Sequence, residues 1–555
     1  MSAQRWRRLL PFLAWPRPNL DLLRGEALAG LTVGLMVIPQ GVAYAALAGM
    51  PLVTGIYASL LPALVAVLFS SSVRLSVGPT ALSCLLISAS LNGLAAPGSA
   101  EWVNLAVWLA LLSGAVQVLL GVVRFGWFLN LVNAPVLMAF TQAAAVLIIA
   151  SQLPDLLGWQ GGRGADAAAL FSLARWDLVA SAFGLLCLGL LVLSRRWKPA
   201  FPSVLLLVLA SAAASVALQF ENRGGAVVGL LPQGMPALHW PHWPGWSTLG
   251  QLLLPVLVIT LISFLETAAS AKVDNARQGT RWNQDQDLIG QGLGKLAAAF
   301  SGAFPTSSSF SRSALNLYAG ARSGWATVFS VVVVGLALLW FLPVFHHVPQ
   351  AVLAAIVVVA VIGLIRPAEF VKLWRISRVE AGIAAVTFGV TVLASPQLYW
   401  GVLVGVMLSL SHFLYLRLHP RIIEVGLHAD GRLRDRHLWQ LPPLATHTFA
   451  LRMDAALDFG SANALEQAIT DHLAAHPQTQ RVVLFAQVIN RIDATGVETF
   501  ARLRQQLASQ QRDWVVVGLK LPVERVLQVA GCLQPGLHFA QHVSEADAVA
   551  ALTSV

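Results

Sequence analysis

Long apolar stretches separated by short polar ones fill most of the chain before residue 417. A stretch of about 18 apolar residues is long enough to cross the hydrocarbon core of a bilayer as a helix. The clearest such stretches are residues 52–70, 105–123, 176–194, 202–219, 249–265, 325–345 and 383–413. The pattern therefore predicts a polytopic α-helical membrane region that ends near residue 417.

The remainder of the chain has a different pattern. Residues 420–555 mix polar and apolar positions at ordinary charge density, and "HTFALRM" (447–453), "RVVLF" (481–485) and "WVVVGL" (514–519) read as strands. An amphipathic helix follows the second strand, and such alternation predicts a small α/β domain. We expect an N-terminal segment (1–26), a membrane domain (27–417), a linker (418–440) and an α/β domain (441–555).

Two short apolar segments, each beginning at a proline, interrupt the membrane pattern. One is "SVGPTALSCLLISAS" (76–90), which starts at Pro79, and the other is "AFPTSSSFSRSALNLYAG" (303–320), which starts at Pro305. Both are too short to span a bilayer. Short, interrupted segments in corresponding positions of two halves indicate the substrate site of an inverted-repeat transporter. We therefore expect two half-helices that begin near the middle of the membrane.

A helix that begins inside the bilayer offers free N–H groups and a positive dipole end, which suit an anion. The predicted walls of this site are Thr80 on one side and Ser308, Ser309, Phe310 and Ser311 on the other, with Arg312 one turn further on. Arg312 would face a wet cavity rather than lipid. The alternative is that the serines pack between helices and that Arg312 reaches the membrane surface.

Further polar groups interrupt other spans. Glu266 follows a long apolar run, and Ser270 lies four residues later on the same helical face. A carboxylate in this position is costly unless it is paired or protonated, so Glu266 could exchange a proton during transport, or else form a structural ion pair with Arg312. Gln40 and Tyr44 lie beside Pro39, where we expect residues 27–50 to be broken, and could reach the same cavity or serve in packing.

Charge gives the expected orientation. The chain is 57% hydrophobic, only 11% charged, and carries a net charge of +10. Its basic residues fall in alternate loops, with Arg5, Arg7, Arg8, Arg74, Arg124, Lys272, Arg322 and Lys372 on one side and only Arg163, Arg175 and Arg223 on the other. The positive-inside rule then places the N-terminus and the α/β domain in the cytoplasm, as in a bacterial inner-membrane protein. The His346–His347 pair falls in an outer loop.

Four stretches make the chain resemble the sulfate permease (SulP) family of anion transporters, which includes plant sulfate transporters and prestin-like proteins. They are "GLTVGLMVIPQGVAYAALAGMPLVTGIYASL", "SSSVRLSVGPTALSCLL", "ETAASAKVDNARQ" with "QDLIGQGLGKLAAAFSGAFPTSSSFSRSALNLYAGARS", and the tail motifs "LDFGSANAL" and "INRIDATGVETF". The resemblance implies a UraA-like fold of about fourteen spans in two inverted seven-span repeats, with core and gate domains. It also implies a STAS domain at the end of the chain, elevator-type alternating access, and homodimers.

The resemblance also implies roles for individual residues. It places Gln40, Tyr44, Thr80, Ala81, Ser309, Phe310, Ser311 and Arg312 at the substrate, Glu266 and Ser270 at the coupling ion, and Asp493, Thr495 and Gly496 in the STAS motif. Related bicarbonate transporters bind Na⁺ at positions that match Glu266, Ser270 and Ser309. Lys295 stands where the family usually has a small or amide residue, and the sequence gives it no partner.

Energetics favour coupled uptake of the anion. Moving a divalent anion into a cell at about −100 mV costs about 4.6 kcal/mol, at about 2.3 kcal/mol per charge. We therefore expect proton-coupled sulfate uptake; the alternatives are Na⁺-coupled bicarbonate transport, C4-dicarboxylate symport, and an exchanger or channel. The α/β domain shows no metal-ligand spacing, phosphate-binding loop or nucleophile elbow, so neither an enzyme nor a cofactor is predicted.

Overall fold

The computed structural model describes residues 10–159, 176–197 and 203–553. Arg5, Arg7, Arg8, Arg163 and Arg175 lie outside these ranges. The described residues form two compact units, residues 1–409 and 410–555, each with its own core.

The described residues of the first half of the membrane unit form eight α-helices and one short strand. In chain order they are α1 (Leu20–Leu47), α2 (Thr54–Tyr57), α3 (Leu61–Phe69), β1 (Val77–Gly78), α4 (Ala81–Leu91), α5 (Ala100–Val122), α6 (Ala134–Leu156), α7 (Leu178–Trp197) and α8 (Ser203–Ala217). A 3₁₀ helix, Glu221–Arg223, follows α8 and precedes the long connection to the second half.

The second half repeats this plan. Its elements are α9 (Trp246–Gln278), α10 (Gln284–Phe300), β2 (Ser307–Ser308), α11 (Phe310–Tyr318), α12 (Trp325–Trp340), α13 (Leu342–Phe345), α14 (Gln350–Ile362), α15 (Pro367–Ile376), α16 (Arg378–Leu393) and α17 (Tyr399–Leu418). Among the described residues, six stretches have the length and apolar composition needed to span a bilayer: α1, α5, α6, α9, Gln350–Ile376 and α17.

Helix packing relates the two halves. With each strand joined to its half-helix, α2 joined to α3 and α12 joined to α13, the described residues form seven segments before α9 and seven from α9 onward, apart from α15. The packing of α6 against α16 has its counterpart in that of α14 against α7, as an inverted repeat requires. We call α1–α5 and α9–α12 the core helices, and α6–α8 with α14–α17 the gate helices.

Glycines bring core helices into backbone contact. A Cβ added at Gly114 in α5 would lie 2.8 Å from the carbonyl oxygen of Gly292 in α10, and one at Gly292 would lie 2.7 Å from that of Gly114. In the same way, a Cβ at Gly55 in α2 would lie 1.9 Å from the carbonyl oxygen of Gly41 in α1. Close backbone approach through small residues is how membrane helices gain packing energy.

Two sequence predictions about the spans are wrong. α1 runs without interruption from Leu20 to Leu47 with Pro39 inside it, because a membrane helix tolerates the loss of one backbone donor where neighbours pack around it. The apolar run 383–413 is two helices, α16 and α17, separated by residues 394–398. The mean hydropathy of this run does not reveal the turn between the two helices, which contains Pro396.

The C-terminal unit is a six-stranded sheet with strand order β4-β3-β5-β6-β7-β8. Its elements are β3 (Ile422–Leu427), β4 (Leu433–Asp435), β5 (Thr448–Met453), α18 (Ala462–Ala475), β6 (Arg481–Phe485), α19 (Ala494–Ser509), β7 (Asp513–Val517), α20 (Leu521–Val529), β8 (Phe539–His542) and α21 (Glu545–Thr553). Strands β5 to β8 are parallel, and β3 pairs antiparallel with both β4 and β5.

The linker predicted at residues 418–440 is therefore wrong, because β3 and β4 lie within it and extend the sheet. An edge hairpin carries charged side chains because one of its sides faces water.

Candidate functional site

The two short segments predicted from their prolines meet at one place in the core. β1 and β2 pair antiparallel, with Val77 opposite Ser308 and Gly78 opposite Ser307. The N–H of Ser309 also donates to the carbonyl oxygen of Ser76 at 3.0 Å. This short ladder satisfies the backbone groups that the broken helices leave inside the membrane, and it fixes the starts of α4 and α11 beside each other.

Both half-helices begin at a capping hydroxyl. The Thr80 Oγ1 accepts from the N–H of Ser83 at 3.3 Å, and the Ser309 Oγ accepts from the N–H of Arg312 at 3.4 Å. The remaining first-turn N–H groups have no intrahelical acceptor, and each helix carries about half a positive charge at this end. Two positive helix ends therefore face a shared region between the two repeats.

Arg312 ties one half-helix to the other. Its side chain is only 1% exposed. Nη1 donates to the carbonyl oxygen of Pro79 at 2.9 Å and Nε to the Oγ of Ser76 at 3.4 Å, while Nη2 has no hydrogen-bond partner among the described residues. The guanidinium thus adds a full positive charge next to the two helix ends and does not reach the membrane surface.

Glu266 reaches the same place from α9, which contacts both half-helices. Its Oε2 accepts from the Thr80 Oγ1 at 3.0 Å and from the Ser83 Oγ at 3.5 Å. Within the part of the chain that the structure describes, Glu266 makes no ion pair with Arg312, so the alternative of a purely structural pair is not realised. The Ser270 Oγ donates to the carbonyl oxygen of Glu266 at 3.2 Å.

The other predicted substrate residues fall into a buried and an exposed group. Gln40 and Tyr44 are 2% and 4% exposed on α1, which contacts both α4 and α11. Gln40 Oε1 has no hydrogen-bond partner among the described residues, and Tyr44 lies close enough to Arg312 for an electrostatic interaction. Ala81 is buried at the first position of α4. Phe310 and Ser311 are exposed at the start of α11.

Lys295 has a partner that the sequence did not reveal. Its side chain is fully buried, and Nζ donates to the Oγ of Ser263 at 2.5 Å. The Gln117 Nε2 donates to the same hydroxyl at 3.2 Å. Lys295 also interacts electrostatically with Glu266. Ser263 lies three residues before Glu266 on the same helix, so Lys295 adjoins the site. No signal in the sequence pairs the lysine with Ser263.

Sequence reasoning also missed three serines of the frame of the site, Ser76, Ser83 and Ser307, although it had named Ser308. Ser76 accepts a hydrogen bond from Arg312, and Ser83 donates one to Glu266. The Ser307 Oγ donates to the carbonyl oxygen of Ser263 at 3.1 Å. Ser308 is fully buried, and its Oγ has no partner among the described residues. Ser76, Ser83 and Ser307 lie within four residues of Pro79 or Pro305, the predicted half-helix starts, so their position was the available signal.

In the C-terminal unit, the predicted STAS residues form a helix cap. The Asp493 Oδ1 accepts from the N–H of Gly496 at 2.9 Å, and its Oδ2 accepts from the N–H of Phe459 at 3.0 Å. These donors, Gly496 first, hold the pKa of Asp493 below its ordinary value. Gly496 is buried, and a Cβ there would lie 2.2 Å from the carbonyl oxygen of Leu457. Thr495 is exposed in the first turn of α19.

Comparison with known proteins identifies both units. The sequence model described as the sulfate permease family matches residues 23–387, and that of the STAS domain matches residues 443–546. A probable sulfate transporter 4.2 of Arabidopsis thaliana is 30% identical over 87% of this chain and 74% of its own length. A probable sulfate transporter of Mycobacterium tuberculosis is 29% identical over 92% of both chains.

Solved structures agree with the fold. The murine anion transporter Slc26a9 in its inward-facing state superposes with a TM-score of 0.87 at 20% identity, over 100% of this chain and 96% of its own. The transmembrane domain of the cyanobacterial bicarbonate transporter BicA superposes with a TM-score of 0.60 at 20% identity, over 71% of this chain and 98% of its own. The membrane unit thus has a known transporter fold.

Proposed function

Because the chain belongs to the sulfate permease family, we propose that it is a secondary active transporter that takes up sulfate together with protons. The family consists of anion transporters and not of enzymes. Sulfate is the anion named for the plant and mycobacterial relatives. The protein would lie in a bacterial inner membrane as a homodimer, with its STAS domain in the cytoplasm.

The meeting of two half-helix starts across the β1–β2 ladder is the observation that carries the proposal. Sulfate is an acceptor of hydrogen bonds on all its oxygens, and helix N-termini present donors together with a positive field. Arg312, whose side chain is only 1% exposed, adds a full positive charge beside them. Gln40 and Tyr44 from α1 would close the third side of the pocket, with the side-chain amide and the phenol as further hydrogen-bonding groups.

The charges of the site suit a divalent anion with one proton. Glu266, Lys295 and Arg312 sum to +1 when all are ionised and to +2 when Glu266 is protonated. Sulfate then leaves the loaded site neutral, which minimises the cost of carrying it through a medium of low dielectric constant. The contact of Glu266 with Thr80, the cap of the substrate half-helix, supports its role in this exchange, because Thr80 donates to its carboxylate.

The helix grouping supports an elevator-type movement. All the proposed substrate and coupling residues lie on core helices, from α1, α4, α9 and α11. The gate helices form their own contacts, with α6 packed against α14 and α16. A core that carries the whole site can slide past such a gate without breaking the β1–β2 ladder.

Uptake of radiolabelled anions into proteoliposomes tests the proposal. Purified protein would be assayed with sulfate, bicarbonate and a C4-dicarboxylate at two external pH values, with and without Na⁺. We expect saturable sulfate uptake that rises with an inward proton gradient and does not need Na⁺.

The matched variant for this assay is Arg312→Gln. It removes the full positive charge beside the proposed anion site, and a hydrogen bond to a charged group contributes about 1.5–3 kcal/mol, so we expect sulfate affinity to fall by about tenfold or more. Sodium-dependent bicarbonate uptake would instead assign the carboxylate to Na⁺ together with Ser270 and Ser309. Unitary currents would indicate a channel.

A further inference from the structure

Three metal-ligating side chains converge far from the transport site. Glu221 lies in the 3₁₀ helix after α8, and His346 and His347 lie in the turn between α13 and α14. His346 Nε2 lies 3.3 Å and His347 Nδ1 lies 3.4 Å from the same carboxylate oxygen of Glu221. The ligand atoms of all three residues lie within 4.8 Å of one another. None of these residues has a role in the transport site.

The spacing of these atoms matches a tetrahedral metal site. Zinc binds histidine nitrogen and carboxylate oxygen at about 2.0–2.1 Å, so two ligands of a tetrahedral site lie about 3.3 Å apart. Both distances from the Glu221 oxygen already have this value. The remaining edge, between the two histidine nitrogens, is at most 4.8 Å and closes with small rotations of two partly exposed rings.

The backbone holds the two ligand-bearing loops together without a metal. The N–H of Gly229 donates to the carbonyl oxygen of His346 at 3.0 Å, that of Val228 to Val348 at 2.9 Å, and that of Gln350 to Ala226 at 3.0 Å. A site whose loops are already joined loses less entropy on binding than one assembled from free loops. His346 Nδ1 has no hydrogen-bond partner among the described residues, so Glu221 is the main polar neighbour of that ring.

We propose that Glu221, His346 and His347 form a binding site for Zn²⁺ or a similar divalent transition metal. Two imidazoles and one carboxylate suit such a metal, and the fourth position is left to water. The side chains are 45%, 21% and 44% exposed, which allows a metal to enter from solution.

The position of the site gives it a regulatory effect. Glu221 belongs to the connection from gate helix α8 to core helix α9, and the two histidines belong to the connection from core helix α12 to gate helix α14. Both connections must change shape if the core slides past the gate. A metal that joins them restrains that movement and slows transport, a consequence that depends on the proposed function, whereas metal binding itself does not.

Direct binding tests the site independently of transport. Tag-free, metal-free protein would be titrated with Zn²⁺ in competition with a chelating dye, and with Co²⁺, whose visible absorption reports tetrahedral coordination. We expect one Zn²⁺ per chain. Loss of an outer-shell partner already weakens metal sites by about 10–100-fold, so Glu221→Gln and His347→Ala should each weaken binding by about tenfold or more. His242→Ala, which removes an exposed histidine elsewhere, should leave the affinity unchanged.

Two results would overturn the site: no stoichiometric Zn²⁺ binding to the wild-type chain, or equal affinities in wild type, Glu221→Gln and His347→Ala. Anion uptake with and without Zn²⁺ then tests the regulatory effect. Inhibition by Zn²⁺ that disappears in Glu221→Gln supports the restraint, and inhibition that persists in this variant contradicts it. Absence of uptake by the metal-free wild type would contradict the proposed function and leave the binding result standing.

Discussion

Glu266→Gln separates proton coupling from anion binding. The amide keeps an oxygen that can accept from the Thr80 Oγ1 and the Ser83 Oγ, so the frame of the site is preserved. It cannot take up a proton. Glu266 is the acidic side chain that contacts the substrate half-helix within the described residues, so the proposed function assigns one coupled proton to it.

The expected change in sulfate accumulation follows from the coupling of one proton to each anion. One pH unit across the membrane is worth about 1.4 kcal/mol per proton, which corresponds to a tenfold change in the equilibrium accumulation of the anion. At a clamped membrane potential, sulfate accumulation by the wild type should therefore change by about tenfold for each unit of pH gradient. In Glu266→Gln the pH dependence should vanish while saturable binding of sulfate remains.

The assay is the accumulation of radiolabelled sulfate in proteoliposomes at several pH gradients, with the potential fixed by a potassium ionophore. Glu26→Gln is the matched control, since Glu26 is also a buried carboxylate of the core but accepts from the N–H of Arg322 and the Oγ of Ser323, away from the site. It should retain the wild-type dependence. A Glu266→Gln protein that still accumulates sulfate in proportion to the pH gradient would refute the role of this carboxylate.

Three further substitutions test the energetics of the fold. Ser263→Ala removes the acceptor of the buried Lys295 Nζ, so it should lower the unfolding free energy by about 1.5–3 kcal/mol. The loss should be much smaller in a Lys295→Met background, where the donor is absent. Thermal denaturation of the wild type, the two single variants and the double variant in detergent measures this coupling. Asp493→Ala removes the cap of α19. It should lower the free energy of opening of residues 494–509 by about 1 kcal/mol, so their backbone N–H groups should exchange faster. Because the pKa of Asp493 is lowered in the folded protein, the stability difference between wild type and Asp493→Ala has its full size above about pH 4, the ordinary pKa of an aspartate. The difference is lost as the pH falls through the lowered pKa. Gly55→Ala places a Cβ 1.9 Å from the Gly41 carbonyl oxygen and should reduce the yield of folded protein in size-exclusion chromatography. The control is Gly335→Ala, whose Cβ would have its nearest heavy atom at 3.9 Å and should not change the yield. Equal yields of the two variants would contradict the packing argument.

The sequence predicted those features that depend on local chemistry. Pro79 and Pro305 marked the half-helix starts because a proline and a cluster of small residues are visible without any tertiary information. Strand β6 was predicted with its observed bounds, because an apolar run between polar residues is a clear strand signal. The strands of 418–440 were missed, because the polar side of an edge hairpin looks like a loop.

The remainder depended on tertiary contacts that no local pattern shows. Nothing near Lys295 in the sequence indicates that Ser263, on another helix, accepts its hydrogen bond. The same holds for the contact of Thr80 with Glu266, which joins the two repeats. The interruption expected at Pro39 did not occur, because neighbouring helices, and not the proline alone, decide whether a membrane helix breaks.

The central claim is that the anion binds where the two half-helices begin. Selenate has the shape and charge of sulfate and carries an anomalous scatterer, so a crystal structure of the protein with selenate would locate the anion directly. We predict one selenium peak, placed so that the selenate oxygens accept hydrogen bonds from the first-turn N–H groups of α4 and α11, which begin at Ala81 and Phe310. An ordered selenate held elsewhere, with these helix ends in contact only with protein, would contradict the account.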